Sequence, residues 1–392
     1  MISHISATYI YPITGPVIKN GVLAIDSKGV IMDVYTEEEA KAKQISDINY
    51  HKGLLVPGFV NTHCHLELSN LKGQIPKGTG LPEFVKWVIK SRSSDEYELN
   101  LAMLKADIEM HQNGIVAVAD ISNQLISKSL KISSPVYYFT FLEIMGFNPA
   151  LAKDAMERAK QFKAELDPLS VSIVPHAPYS VSAELFDELR AYEEFQDGPL
   201  SIHNQETEDE NAFFEHKTGE FLELFKFLGQ DIEFYQPSGK TSLQTYIPLL
   251  SPQLKTLLVH NTYTSAEDVA YATSIHPNLY WCLCPRANMY IENALPDVNM
   301  LRKADLKITL GTDSLASNDS LSILSEMNLL QERFDVPTDE LLKWAIFNGA
   351  EFLEIEERYG SFERGKRPGI NLVDFTERNG KVILGDNITR LF

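Results

Sequence analysis

Read from the amino end, the apolar positions first fall in short runs broken by turn residues. GVLAIDSKGVIMDV sets two such runs on either side of Asp-Ser-Lys-Gly, the signature of a β-hairpin, and residues 1–57 as a whole read as β-structure. The carboxyl end has the same character, in GINLVDF from Gly369 and GKVIL from Gly380. Between the two ends the rhythm changes to short apolar runs alternating with longer stretches of helical periodicity, the pattern of a parallel α/β fold. The runs at 58–65, 115–120, 136–143, 171–176, 200–203, 256–260, 279–284 and 306–313 predict strands, and 82–90, 101–112 and 150–165 predict helices. Eight such units predict an α/β chain with a (β/α)8 TIM-type barrel over 58–365. The two ends, 1–57 and 366–392, predict one small composite β-sandwich domain that brings the termini together. The longest connections follow the first and fifth strands, where lids sit.

Composition narrows the function more than the fold. Of 392 residues, 44% are hydrophobic and 23% charged, which suits a globular protein and excludes disordered, collagen-like and coiled-coil classes. The balance of 35 basic against 54 acidic residues gives −19. A surface of that sign repels phosphate backbones and anionic lipid, so the expected partner is a small-molecule substrate, not nucleic acid or a membrane. Cys64, Cys282 and Cys284 are too few for a disulfide framework and fit a reducing compartment. Within YWCLCP, Cys282 and Cys284 read as small apolar residues of a buried strand; their C-x-C spacing is not the C-x-x-C of a structural zinc site. The amino end lacks the basic and apolar regions of a signal peptide, and no apolar run reaches the roughly 18 residues that span a bilayer. A cytoplasmic protein is the expectation; a homo-oligomer is compatible with the sequence, which sets no subunit number.

The chemistry sits at the strand ends. His63 and His65 close the first predicted strand, Glu143 the third, His176 the fourth, His203 the fifth, His260 the sixth and Asp313 the eighth. In a parallel barrel all these ends open on one face. Any one of them alone reads more simply as a satisfied core residue; their convergence favours a site. His63-Cys64-His65 is the sharpest local signal, because side chains two apart on a strand share a face and can share one ion. Asp313 lies in Ile308-Thr-Leu-Gly-Thr-Asp-Ser, where a buried carboxylate is costly without a cation or donors. Glu206 stands three residues after His203 as a possible proton carrier, while Glu208, Asp209 and Glu210 read as a solvated acidic loop.

PGFVNTHCH, His203-x-x-Glu206, the LVH ending at His260 and the GTDS holding Asp313 together resemble the metal-dependent amidohydrolase superfamily, and their order resembles its deaminase branch (guanine, cytosine and adenosylhomocysteine deaminases). The resemblance spans roughly residues 50–375. It implies one divalent ion, Zn2+ with Fe2+ as the alternative, held by His63, His65, His203 and Asp313. It implies that Glu206 shuttles protons and that His260 contacts the hydrolytic water. Binuclear members carry a carboxylated lysine at the end of strand four; here the stretch is Val171-Ser-Ile-Val-Pro-His176, so the site is expected to be mononuclear. The H-x-E…P-C-x-x-C signature of the cytidine-type zinc deaminases is missing.

For the substrate, His65-Leu-Glu-Leu-Ser, the tryptophan-containing helix that follows, and Pro175-His-Ala-Pro-Tyr-Ser resemble aminodeoxyfutalosine deaminases. Glu67 and His176 are then expected to touch substrate, with Glu143 beside them. Trp87 and Arg92, with Phe84, read as an aromatic, cationic wall for a heterocycle; for Phe84 and Trp87 the apolar face of a barrel helix serves as well. Cys284-Pro-Arg-Ala-Asn288 departs from the Pro-x-Ser-Asn commoner among relatives. The implied activity is hydrolytic deamination of an adenine-containing nucleoside or related aminopurine. Two rivals stay open: a hydrolase of a cyclic amide or halide-bearing heterocycle on the same site, and a catalytically inactive barrel used as a binding scaffold. Scaffolds of that kind usually lose ligands, and none is lost here.

Overall fold

The computed structural model describes residues 2–91, 95–193 and 198–392. The amino end supplies β1 (Ile2–Ile10), β2 (Ile18–Lys19), β3 (Val22–Asp26), β4 (Ile31–Tyr35) and β5 (Ile48–Pro57). The middle supplies β6 (Phe59–Cys64), β7 (Ile115–Ser122), β8 (Tyr137–Ile144), β9 (Ser170–Pro175), β10 (Leu200–Asn204), β11 (Thr256–His260), β12 (Leu279–Leu283) and β13 (Ile308–Leu310). The carboxyl end supplies β14 (Ile370–Arg378) and β15 (Lys381–Arg390).

Both chain ends join in one seven-stranded sheet of order β15-β14-β5-β1-β3-β4, with β2 paired to β1. The β3–β4 pair is the hairpin that the turn residues predict. The sheet has its own apolar core, in which Ile5, Leu23, Ile25, Leu55 and Ile370 meet Phe362. It also grips the middle of the chain: the Asn371 amide donates to Gly114 O at 2.8 Å, and Leu384 N–H donates to the Gln331 side chain at 2.9 Å.

The eight middle strands lie in two parallel sheets of four, β6-β7-β8-β9 and β10-β11-β12-β13. The sheets meet at both edges. On one side His203 N–H donates to His176 O at 3.0 Å. On the other, Thr312 and Asp313 N–H both reach His63 O, at 3.0 and 3.1 Å, and Cys64 bridges to Asp313. The last strand is therefore shorter than the predicted 306–313. Past Leu310 the backbone bonds to β6 and turns, reaching φ +54° at Asp313. The strands are buried along nearly their whole length, which is why they read as continuous apolar runs and not as alternating ones. Among the described residues no helix is long and apolar enough to cross a membrane.

Gly311 makes this junction sterically feasible. A Cβ there would stand 2.7 Å from the Cβ of His63 and 2.9 and 3.0 Å from the Sγ atoms of Cys282 and Cys284. Gly311→Ala is therefore expected to destabilise the protein by about 1–3 kcal/mol and to push His63 out of register. A thermal melt together with metal analysis checks both effects; an unchanged melting temperature and metal content would contradict this picture of the junction.

Candidate metal centre

Four side chains from three strand ends meet at one point. His63 Nε2 and His65 Nε2 are 3.1 Å apart, and His65 Nε2 and His203 Nε2 are 3.3 Å apart. Asp313 Oδ1 lies 3.5 Å from His63 Nε2 and 3.4 Å from His65 Nε2. The extended backbone of β6 explains the first pair, since it turns both imidazoles to one side. The tautomer of His203 is fixed from behind: its Nδ1–H donates to His176 O at 2.7 Å, so its Nε2 presents a lone pair to the group.

This donor set fits a divalent ion. A tetrahedral ion with ligands at about 2.0–2.1 Å has ligand–ligand separations of roughly 3.3–3.4 Å, close to those seen here. The protonation states agree. Burial, then the neighbouring His63, pushes His65 down to about 3. Burial and the surrounding imidazoles push His203 well below its ordinary range. Burial works to raise Asp313, but the hydrogen bond from His63 and the nearby His65 and His260 rings outweigh it and hold the carboxyl low. Ser317 Oγ donates a short hydrogen bond to its Oδ2. Two imidazoles held in the neutral form, with His63 beside them and one buried carboxylate, are thus prepared for a cation.

Behind them stand His260 and Glu206. His260 ends β11 at φ +77°, an unusual backbone for histidine. Asn261 holds the kink, its amide donating to Leu258 O at 2.9 Å and Cys282 O at 3.0 Å. His260 Nδ1–H donates to Asn288 Oδ1 at 2.9 Å, which leaves Nε2 directed at Glu206 Oε2, 3.5 Å away. Burial, then the Asp313 charge, raises Glu206 well above the usual carboxylate range. The acidic run after it is not a solvated loop throughout. Glu208 is exposed, but it opens a helix, Glu208–His216, and Glu210 is fully buried. Glu210 accepts from the backbone N–H of Gln205 at 3.0 Å and of Glu206 at 3.4 Å, holding the turn that carries Glu206.

A second acidic group adjoins the imidazoles. Glu143 Oε1 is 3.4 Å from His203 Nδ1, and Glu143, His176 and His203 form a compact set. Asn123 bridges two carboxylates, its N–H donating to Glu67 at 3.1 Å and its amide to Glu143 at 3.3 Å. Burial, first in each case, raises Glu67 to about 7 and Glu143 to about 8. His176 donates through Nδ1 to Ser180 at 2.7 Å, and its ring meets Tyr179 edge to face. Tyr179 belongs to an apolar cluster with Phe84, Phe147, Phe213 and Phe221, against which Trp87 packs. The connections after the first and fifth strands therefore meet in an aromatic layer next to the site. Phe84 takes the bland role, buried in that layer, and Trp87 lies at its margin. Arg92 lies outside the described residues.

Asp120 and Lys131 escape the sequence reading. They form a fully buried ion pair at 2.7 Å, and Asp120 also accepts the N–H of Leu66, next to His65, at 2.8 Å. Asp120 closes the second predicted strand, so the strand-end pattern that marks His63, His203 and His260 reaches it too; Lys131, on a short helix, has no such marker. A cavity of about 940 Å³ lies at the opposite ends of the strands between the helices Ala266–Ile275 and Val298–Lys303, and none of the site residues lines it.

Comparison with known proteins adds an independent line. The Amidohydrolase family profile matches residues 54–388. An adenosine deaminase from Helicobacter pylori is 27% identical over 367 residues, covering 91% of this chain and 87% of its own. An aminodeoxyfutalosine deaminase from Nitratiruptor sp. is 26% identical over 321 residues, covering 79% and 76%. Among solved structures, Helicobacter pylori aminofutalosine deaminase in complex with methylthio-coformycin is similar with a TM-score of 0.78 at 25% identity, covering 96% of this chain and 93% of that one.

Proposed function

The chain belongs to the amidohydrolase family, and from that premise we infer that it is a metal-dependent hydrolytic deaminase of an amino-substituted heterocycle. The substrate class is an adenine-containing nucleoside or a related aminopurine, with aminodeoxyfutalosine as the most specific choice. One observation carries the reading: three imidazole nitrogens and a buried carboxylate oxygen, at 3.1–3.5 Å from their neighbours in the group, face a histidine–glutamate pair. His63, His65, His203 and Asp313 would hold one ion, zinc in preference to iron. Bound there, the ion supplies Lewis acidity, which makes water nucleophilic near neutral pH.

The protein side chains do the rest. His260, its Nδ1 tied to Asn288, aims Nε2 at the attacking water, and His260 and Asp313 accept that water's proton. Burial, which raises the Glu206 carboxyl, favours its protonated form, and Glu206 delivers that proton to the ring nitrogen beside the attacked carbon. A carbon–oxygen bond forms, the proton taken from the water passes to the exocyclic nitrogen, the carbon–nitrogen bond breaks and ammonia leaves, and the remaining hydroxyl proton returns to Glu206 as the carbonyl forms. Glu67, Glu143 and His176 bind the substrate beyond the ring, and Trp87 borders it. The finer architecture follows the same reading: the eight parallel strands close into a (β/α)8 barrel over 58–365, and 1–57 with 366–392 form the small composite β-sandwich. Three buried, unpaired thiols are in keeping with a cytoplasmic setting.

Purified protein supplied with zinc, screened for ammonia release from adenosine, 5′-substituted adenosines, guanine, cytosine and pterins, tests this directly. Release from an adenine nucleoside is expected, lost on chelation and regained with zinc. A metal-loaded protein that releases ammonia from none of them would exclude the deaminase reading.

A further inference from the structure

The helix Glu96–Gln112 is apolar on two opposite sides. Met103, Ala106 and Met110 are buried against the strands, as a barrel helix requires. The outer side should be polar, yet Tyr97, Leu101, Leu104 and Ile108 stand there at 76%, 38%, 44% and 46% exposure. At about 100° per residue these four fall within an arc of roughly 60°, so they form one stripe. Every other helix among the described residues exposes at most one large apolar side chain.

The spacing of the stripe, four then three then four, is the same read from either end. A second copy of the helix, antiparallel across a two-fold axis, therefore sets Tyr97 against Ile108 and Leu101 against Leu104 at both ends of the contact, the self-complementary arrangement of an isologous interface. Charge agrees with that register. Glu98 and Lys105, both exposed, lie on the same edge of the stripe. In an antiparallel pair like edges face each other, so each Glu98 meets the other copy's Lys105, twice by symmetry. A parallel pair would instead turn the Glu98–Lys105 edge toward the opposite edge of the other copy, leaving this charge pair unmatched. A groove of about 590 Å³ runs along this edge, between the helix and residues 69–74, and gives the partner's flank a seat.

We propose that the outer face of the helix Glu96–Gln112 is a homodimer interface, two copies packing antiparallel through the Tyr97–Leu101–Leu104–Ile108 stripe. A single helix pair covers less than the about 800 Å² per partner of a standard interface, so the dimer is expected to dissociate in the micromolar range. Sedimentation of the full-length, zinc-loaded protein from about 0.5 to about 100 µM should show monomer giving way to dimer. Leu104→Glu should raise the dissociation constant more than about tenfold, with the melting temperature and circular dichroism unchanged. Lys105→Glu alone should weaken the dimer several-fold, and Glu98→Lys combined with Lys105→Glu should restore it. Wild-type protein monomeric across the range, L104E dimerising as well as wild type, or a double variant no better than K105E would each overturn the proposal.

Discussion

Replacement of His203 by alanine is expected to remove the metal and the activity together. In the proposed centre His203 comes from the leading edge of the second four-stranded sheet, and its Nε2 lies 3.3 Å from that of His65. The carbonyl of His176 fixes its tautomer and so aims the Nε2 lone pair. Loss of a partner merely orienting a ligand costs about 10–100-fold in metal affinity, and loss of the ligand itself should cost more. Elemental analysis after dialysis and an ammonia assay give the answer; stoichiometric zinc with wild-type turnover would remove His203 from the centre.

Glu206→Gln should have the opposite signature. The residue stands outside the imidazole–carboxylate group, so metal content should stay at the wild-type level. Glutamine keeps the shape but cannot deliver the proton, and turnover should fall about 10²–10⁴-fold, the usual share of general acid catalysis. The sign of the pH effect follows from the raised Glu206 carboxyl. The protonated form is the active donor, and it is lost as pH rises through the shifted value. Wild-type kcat should thus decline on the alkaline side, and the glutamine variant should lack that decline. Equal turnover in the two proteins would end the role given to Glu206.

Much of this was legible without coordinates because the chemistry sits where apolar runs stop. His63, His65, His203, His260 and Asp313 each follow a strand buried along its length, and a parallel fold sends such ends to one place. The same reasoning passes over residues whose importance lies in what they hold. Asn288 matters because His260 Nδ1 needs an acceptor, and Ser317 because Asp313 needs a donor; neither need is visible in a one-dimensional pattern. Glu210 misleads for the opposite reason. Its acidic neighbours resemble a solvated run, but one turn of helix rotates it inward to the backbone N–H groups of Gln205 and Glu206. The predicted eighth strand is too long because Leu306 and Lys307 precede the paired residues, and the Gly-Thr-Asp that follows Leu310 already turns toward β6.

The composite sheet imposes an order of events on biosynthesis. β5, which leads through the single residue Gly58 into the strand carrying His63, pairs with β1 on one side and with β14 on the other. Until residues 370–373 have left the ribosome, that second edge has no partner and is open to pairing with another chain. The first two proposed metal ligands are made early in translation, but their supporting strand is secured only near its end, so a message truncated before β14 would yield a chain that holds every proposed ligand and no finished foundation beneath them.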